Sequence, residues 1–119
     1  SDIPHFRHFL MDHDFRIVQE EMVLEDGKYY PMMKAIPGRE KNFWTKEEEM
    51  FGKFLLEGLH PVLRKYLERE LRIREEIAGQ LKNAAGNGAR KRLDEIEEEK
   101  QLILTALHRY ESKRTDRMA

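Results

Sequence analysis

Histidines and carboxylates gather twice in this sequence, and metal binding is the first chemistry they suggest. In the opening segment, SDIPHFRHFLMDHD, His5, His8, Asp12 and His13 lie close together. If residues 4–14 are helical, His5, His8 and Asp12 share one face at i, i+3 and i+7, an imidazole–carboxylate set of the kind that holds zinc or another divalent ion. The second group is Glu57-x-x-His60, the spacing by which di-iron carboxylate bundles place ligands on one helix. Such bundles need two copies plus further glutamates. Only one copy is present, beside Pro61, and His108 with Glu111 runs in the reversed order. His5, His8, Asp12, Glu57 and His60 are therefore metal candidates, but solvated or locally bonded side chains account for them, and neither a metal nor another cofactor is expected.

Covalent catalysis has little to build on. The chain has no cysteine, which removes thiolate chemistry, disulfides and Cys-based zinc sites. Ser1, Ser112, Thr45, Thr105 and Thr115 remain as nucleophiles, and none sits in a Gly-x-Ser-x-Gly elbow. No Gly-rich loop of the phosphate-binding or dinucleotide-binding type occurs; Gly86-Asn87-Gly88 has no strand before it. Clustered carboxylates at helix starts are explained by the helix dipole, without acid–base work. The chain is expected not to be an enzyme.

Binding surfaces are better supported. Tyr29, Tyr30, Met32, Met33, Phe43 and Trp44 form the aromatic and methionine group that would meet a protein partner, because these residue types are enriched at interface cores. The same residues could instead be the domain's own core. A nucleic-acid role, as the alternative, would use Arg90-Lys91-Arg92 or Arg109, Lys113, Arg114 and Arg117. Tyr110 is the sole aromatic near either cluster, whereas a base-stacking platform needs more.

The elements that position these residues follow from pattern. Over 119 residues, 22 Lys+Arg nearly cancel 23 Asp+Glu, which argues against a strongly basic nucleic-acid module. Residues 1–60 hold 8 basic and 12 acidic side chains, and residues 61–119 hold 14 and 11. Mean hydropathy is −0.80, and no apolar run is long enough for a membrane span. Asp2 or Pro4 could open a short first helix carrying Phe6, Phe9 and Leu10. Asp26-Gly27 predicts a tight hairpin turn in 15–36, since both residues tolerate positive φ. Strict alternation puts Val18, Glu20, Met22 and Leu24 on one face and Phe15, Ile17, Gln19, Glu21 and Val23 on the other. A helix with Phe15, Val18 and Met22 as its stripe is the competing reading.

Thr45 with Glu48 three residues later is a capping box, so a helix starts there. It is expected to run over 45–83, interrupted near 58–61 by Gly58 and Pro61. After a loop at Ala84–Gly88, a last helix covers 89–114. The expectation is a single α+β domain over 1–119, predominantly helical: an N-terminal segment (1–14), a small β-hairpin, an interrupted helix and a long antiparallel αα-hairpin. Leu67, Leu71, Ile77, Leu93, Ile96, Ile103 and Leu107 line the helical hairpin. Because apolar residues exceed one seam, self-association into a homo-oligomer, a dimer, is expected through them. The resulting reading is a cytoplasmic, non-catalytic protein-interaction or regulatory module with a coiled-coil-like hairpin and another protein as partner. Its alternatives are a nucleic-acid-binding accessory protein or a metal-binding helical protein.

Overall fold

A computed structural model of the chain describes residues 3–84 and 86–118, with side chains as far as Ser112. Two compact units divide it, Ser1–Leu63 and Arg64–Ala119. The architecture is mixed helix and sheet, mostly helical, with a two-stranded antiparallel hairpin. At that level it agrees with the α+β expectation.

The first unit begins with α1 (Ile3–Asp12), the short helix the sequence allowed; Asp2, its alternative start, lies outside the described residues. Asp14, at φ 61°, turns the chain into β1 (Phe15–Glu25). Asp26 and Gly27 follow at φ 52° and 75°, the positive pair a tight hairpin turn requires, and β2 (Lys28–Pro37) returns antiparallel. The ladder is not regular. Register slips between Ile17 and Gln19, so Val18 is the extra residue of a β-bulge. The slip moves Ile17 onto the face of Glu20 and Met22, and these three are the buried residues of β1. Strict alternation had put Ile17 on the opposite face; one inserted residue reverses the phase of every side chain before it.

Thr45 opens α2 (Lys46–Phe51) with the expected box: Thr45 Oγ1 accepts from the Glu48 N–H, and the Glu48 carboxylate accepts from the Thr45 N–H. The helix then breaks earlier than the sequence suggested. Gly52, at φ 108°, separates α2 from α3 (Lys53–Glu57). A β-carbon there would lie 2.8 Å from Glu20 Oε2 and 3.0 Å from Leu55 Cδ1, so both the dihedral and the space call for glycine.

What crowds Gly52 is a buried ion pair. Arg7 on α1 donates from Nε to Glu20 Oε2 on β1 at 2.9 Å, with side chains 2% and 0% exposed. Arg7 Nη1 also donates to the Glu49 and Met50 carbonyls, the orphan acceptors at the end of α2. Glu20 Oε1 accepts the Phe54 N–H in the first turn of α3. Each charge thus meets the helix end of opposite polarity. Ile17, Met22, Trp44, Leu55 and Leu56 are buried in the same unit.

The predicted interruption near 58–61 is present as well: Gly58 ends α3, Leu59 adopts φ 50°, and Pro61 is the first residue of α4 (Pro61–Lys82). His60 caps this start. Its Nδ1 accepts the Val62 N–H at 3.2 Å, which assigns the ring proton to Nε2, hydrogen-bonded to the Glu21 carboxylate. Glu21 also accepts the Met22 N–H at 3.0 Å. These two hydrogen bonds, the Met22 N–H first, hold its carboxyl below the usual range.

In the second unit α4 is followed by α5 (Asn87–Met118). Arg64 pairs with Glu111 at 2.9 Å and Arg74 with Glu99 at 3.0 Å, so ascending numbers on one helix meet descending numbers on the other: the two are antiparallel. Leu67, Ala78, Ile96, Ile103, Ala106 and Tyr110 are buried in this unit. Burial pushes the Tyr110 phenol well up, and the Arg64 guanidinium 5.8 Å from its ring opposes this in part. Among the described residues no helix is long and apolar enough to cross a membrane.

Arg7→Leu, which strands the Glu20 carboxylate in the interior, should cost about 3–5 kcal/mol in urea unfolding followed by Trp44 fluorescence. Arg7→Leu with Glu20→Leu together should cost less than the two single changes summed. A depressed carboxylate contributes stability above its unfolded pKa of about 4.3, lost as pH falls through the folded value. Glu21→Gln should therefore lower the melting temperature at neutral pH and flatten the acid limb, with the variant and wild-type curves converging below about pH 4, as read from melting temperatures across the titration.

Candidate functional site

Two surfaces of the first unit carry polar and aromatic groups together. One is a cleft of about 420 Å³ bordered by Arg16, Glu40, Trp44, Lys53 and Glu57. The bulged stretch of β1, Arg16 to Val18, also lines it. Trp44 is 5% exposed, meets Phe54 edge-on with ring centroids 6.1 Å apart, and has Lys53 Nζ 5.8 Å from its ring. The second cleft, about 460 Å³, lies between the end of α1 and the same connector, and Asp12, Arg39, Phe43 and Glu49 contribute to it. Phe43 on its rim is 86% exposed.

The expected partner-binding residues do not form one patch. Tyr30 and Met32 are exposed on β2, opposite Val23 and Glu21 of β1. Tyr29 and Met33, on the other face of the ribbon, are half-buried opposite Leu24 and Glu20. Trp44 belongs to the interior, whereas its neighbour Phe43 stands in solvent.

Of the residues expected to mediate self-association, Leu67, Ile96 and Ile103 are buried within the chain itself, and Leu71, Ile77, Leu93 and Leu107 are half-buried. At the connection between α4 and α5, Lys82, Arg90 and Lys91 are exposed, while Arg92 is paired with Glu95 and Glu99. The side chains of Lys113, Arg114 and Arg117 lie outside the described residues, as do Ser1 and Ala85.

The metal candidates are likewise spread out. His8 Nε2 lies 3.3 Å from Asp12, and His5 is exposed on the same short helix. His60 is occupied as a helix cap and by Glu21, while Glu57 points to solvent three residues earlier. Among the described residues no group of three or more His, Cys, Asp or Glu side chains converges on one point.

Arg7, Glu20 and Gly52 went unnoticed in the sequence. The available signal was Glu20 between Val18 and Met22 on an apolar face, and Arg7 between Phe6 and Phe9: a carboxylate and a cation inside apolar stripes imply each other. His60 immediately before Pro61 was a capping signal of the same kind.

Comparison with known proteins gives a consistent answer. An uncharacterised protein from Listeria monocytogenes serotype 4b has a similar structure, with a TM-score of 0.82 and 22% identity over 88% of this chain and 46% of its own. The M1A22 tRNA methyltransferase TrmK of B. subtilis is similar at TM-score 0.77 and 23% identity, over 87% of this chain and 47% of that one. A putative tRNA (m1A22) methyltransferase from Streptococcus pneumoniae, solved in complex with S-adenosyl-L-methionine, matches at 0.68 and 26% identity over 91% and 44%. The chain thus spans slightly under half the length of these relatives and forms a fragment of their Rossmann-like methyltransferase fold. No curated protein matches the sequence significantly.

A family model described as TrmK, tRNA (adenine(22)-N(1))-methyltransferase, matches residues 1–105. This overturns three expectations. The reading as a non-catalytic interaction or adaptor module fails, because the family is one of enzymes. So does the expectation that the chain is not an enzyme, and so does its description as a regulatory, coiled-coil protein binder. The expected dimer and protein partner gain no support either. The physical reason is that a methyl group bound to a cofactor's sulfonium is already activated. Its transfer needs positioning more than a protein nucleophile, so the missing nucleophile motifs excluded only covalent catalysis. With the match running from residue 1 to residue 105, the chain belongs to the tRNA (adenine(22)-N(1))-methyltransferase family.

Proposed function

We propose that this chain is part of a tRNA (adenine-N1)-methyltransferase and supplies its tRNA-contacting and fold-completing elements. The family match over residues 1–105 carries the reading. The residues present do not fit S-adenosylmethionine, which a related protein binds. Among the described residues the sheet is one antiparallel hairpin, with no parallel strand feeding a Gly-rich turn at a helix start, the arrangement that receives a nucleotide-like cofactor in open α/β sheets. Gly86-Asn87-Gly88 follows a helix and not a strand, and its Asn87 and Gly88 already belong to α5. No methyl-transfer step is therefore assigned to residues of this chain.

For tRNA, the second unit offers exposed cations where its helices connect: Lys82 at the end of α4, Arg90 and Lys91 at the start of α5. Phosphate contacts of this kind position an RNA without reading its sequence. The tRNA reading carries a cytoplasmic location with it as part of the same proposal.

Binding of an unmodified tRNA transcript, followed by fluorescence anisotropy between about 50 and 200 mM salt, tests the reading. The affinity should fall steeply with salt. Lys82→Gln, Arg90→Gln and Lys91→Gln together should reduce the log–log slope by about 2–3, with helix content by circular dichroism unchanged. Absence of salt-dependent binding would remove tRNA as a partner of this chain, and an unaltered slope in the triple variant would move the contact away from the α4–α5 connection.

A further inference from the structure

Only Gly58, Leu59 and His60 lie between α3 and α4. At the end of α3 the Leu59 N–H donates to the Leu56 carbonyl at 3.1 Å and the His60 N–H to the Leu55 carbonyl at 2.9 Å, the paired bonds of a Schellman stop. Such a stop needs a left-handed residue. Leu59 fills that place at φ 50°, although Gly58 stands beside it in an ordinary helical conformation. His60 thus closes one helix and caps the next. Because it precedes Pro61, the helical region is disfavoured for its own backbone, and Pro61 brings no N–H. The first amide of α4 in need of an acceptor is that of Val62, and the His60 ring supplies it.

The ring is therefore used at both nitrogens: Nδ1 accepts from Val62 on α4, and Nε2 donates to Glu21 on β1. Only the neutral imidazole can do both, since an imidazolium has two donors and no acceptor. A proton acts on the two sides unequally. The bond to Glu21 gains an opposite charge, while the Val62 N–H and the new Nδ1–H become two donors face to face at the positive end of a helix. The Glu21 and His60 side chains are 55% and 21% exposed, so solvent protons reach the ring without unfolding. Glu20, beside Glu21, faces the interior on Arg7. The next charges along the chain and the ladder are Glu57 of α3, which is exposed, Arg64 of α4, engaged by Glu68 and Glu111, and Lys34 of β2, opposite Gln19.

We infer that His60 is a proton-operated latch on the start of α4. Neutral, it ties the first turn of that helix to β1; protonated, it keeps its hold on Glu21 and lets the turn go. The latch can be read without tRNA or cofactor, so it and the tRNA reading stand or fall separately.

The test is amide hydrogen exchange of the whole chain at about pH 8 and about pH 5.5, either side of ordinary imidazole titration, with each rate divided by that of an unstructured peptide at the same pH. Val62 protection should fall roughly threefold to thirtyfold between the two, the worth of a helix cap. The Phe54 N–H, held by Glu20, should keep its protection and so separate the latch from a general loosening of the unit. His60→Asn replaces the ring with a capping residue that does not titrate, and its Val62 protection should be the same at both pH values. Nitrogen NMR shifts of the wild-type ring should place the proton on Nε2 at the higher pH. Four results would overturn the latch: Val62 protection unchanged with pH in the wild type, the same loss in His60→Asn, an equal loss at Phe54, or the ring proton on Nδ1 at the higher pH.

Discussion

The first unit is organised around a single desolvated ion pair. Arg7 and Glu20 come from different elements, and each spends its remaining hydrogen-bonding capacity on a helix end: Arg7 on the last carbonyls of α2, Glu20 on the first turn of α3. Both charges are out of water, so neither is tolerable without the other. The pair also explains why α2 and α3 are two short helices. A continuous helix would bury the carbonyls and amides that the pair satisfies, and the break at Gly52 opens the space in which the two side chains meet. Helices of six and five residues have almost no stability of their own. They persist because their ends are held by fixed charges.

Much of this architecture was legible. Asp26-Gly27 specified its turn through local dihedral preference, and Thr45 with Glu48 specified a helix start through two reciprocal hydrogen bonds; both are determined by neighbours within four residues. Pro61 marked the start of α4 for the same reason. What could not be read is non-local. The bulge at Val18 has no residue signature, because what fixes it is the packing of Ile17 and Met22 on a common interior. Gly52 reads as one more glycine in a helical stretch until Arg7, 45 positions earlier, is known to occupy the same space. The helical hairpin showed its stripes clearly, yet apolar surplus alone did not say what covers it.

The functional misreading has a different origin. Motif reasoning looks for groups that make and break bonds, and this chain contributes to an enzyme family without displaying such a set. Metal-like histidine spacing resolved into a helix cap and solvated side chains, and the aromatic group dispersed over two faces and an interior. In a family of methyl-transferring enzymes, a segment that carries no bond-making group looks like any small α+β domain. Only comparison over the length of the chain separates them.

The bulge in β1 bears on how such a sequence can change over time. Substitutions at Val18 are absorbed by a half-buried, extra position. Loss of that residue would be absorbed too: Ile17–Ala35 and Gln19–Lys34 already follow one another along β2, so the ladder would close into plain alternation with Ile17 still on the face of Glu20 and Met22. A lineage can therefore change or lose this residue, whereas an insertion or deletion between Gln19 and the turn would reverse the phase of the strand, so length changes in relatives should collect at the bulge and in the connector at residues 38–44.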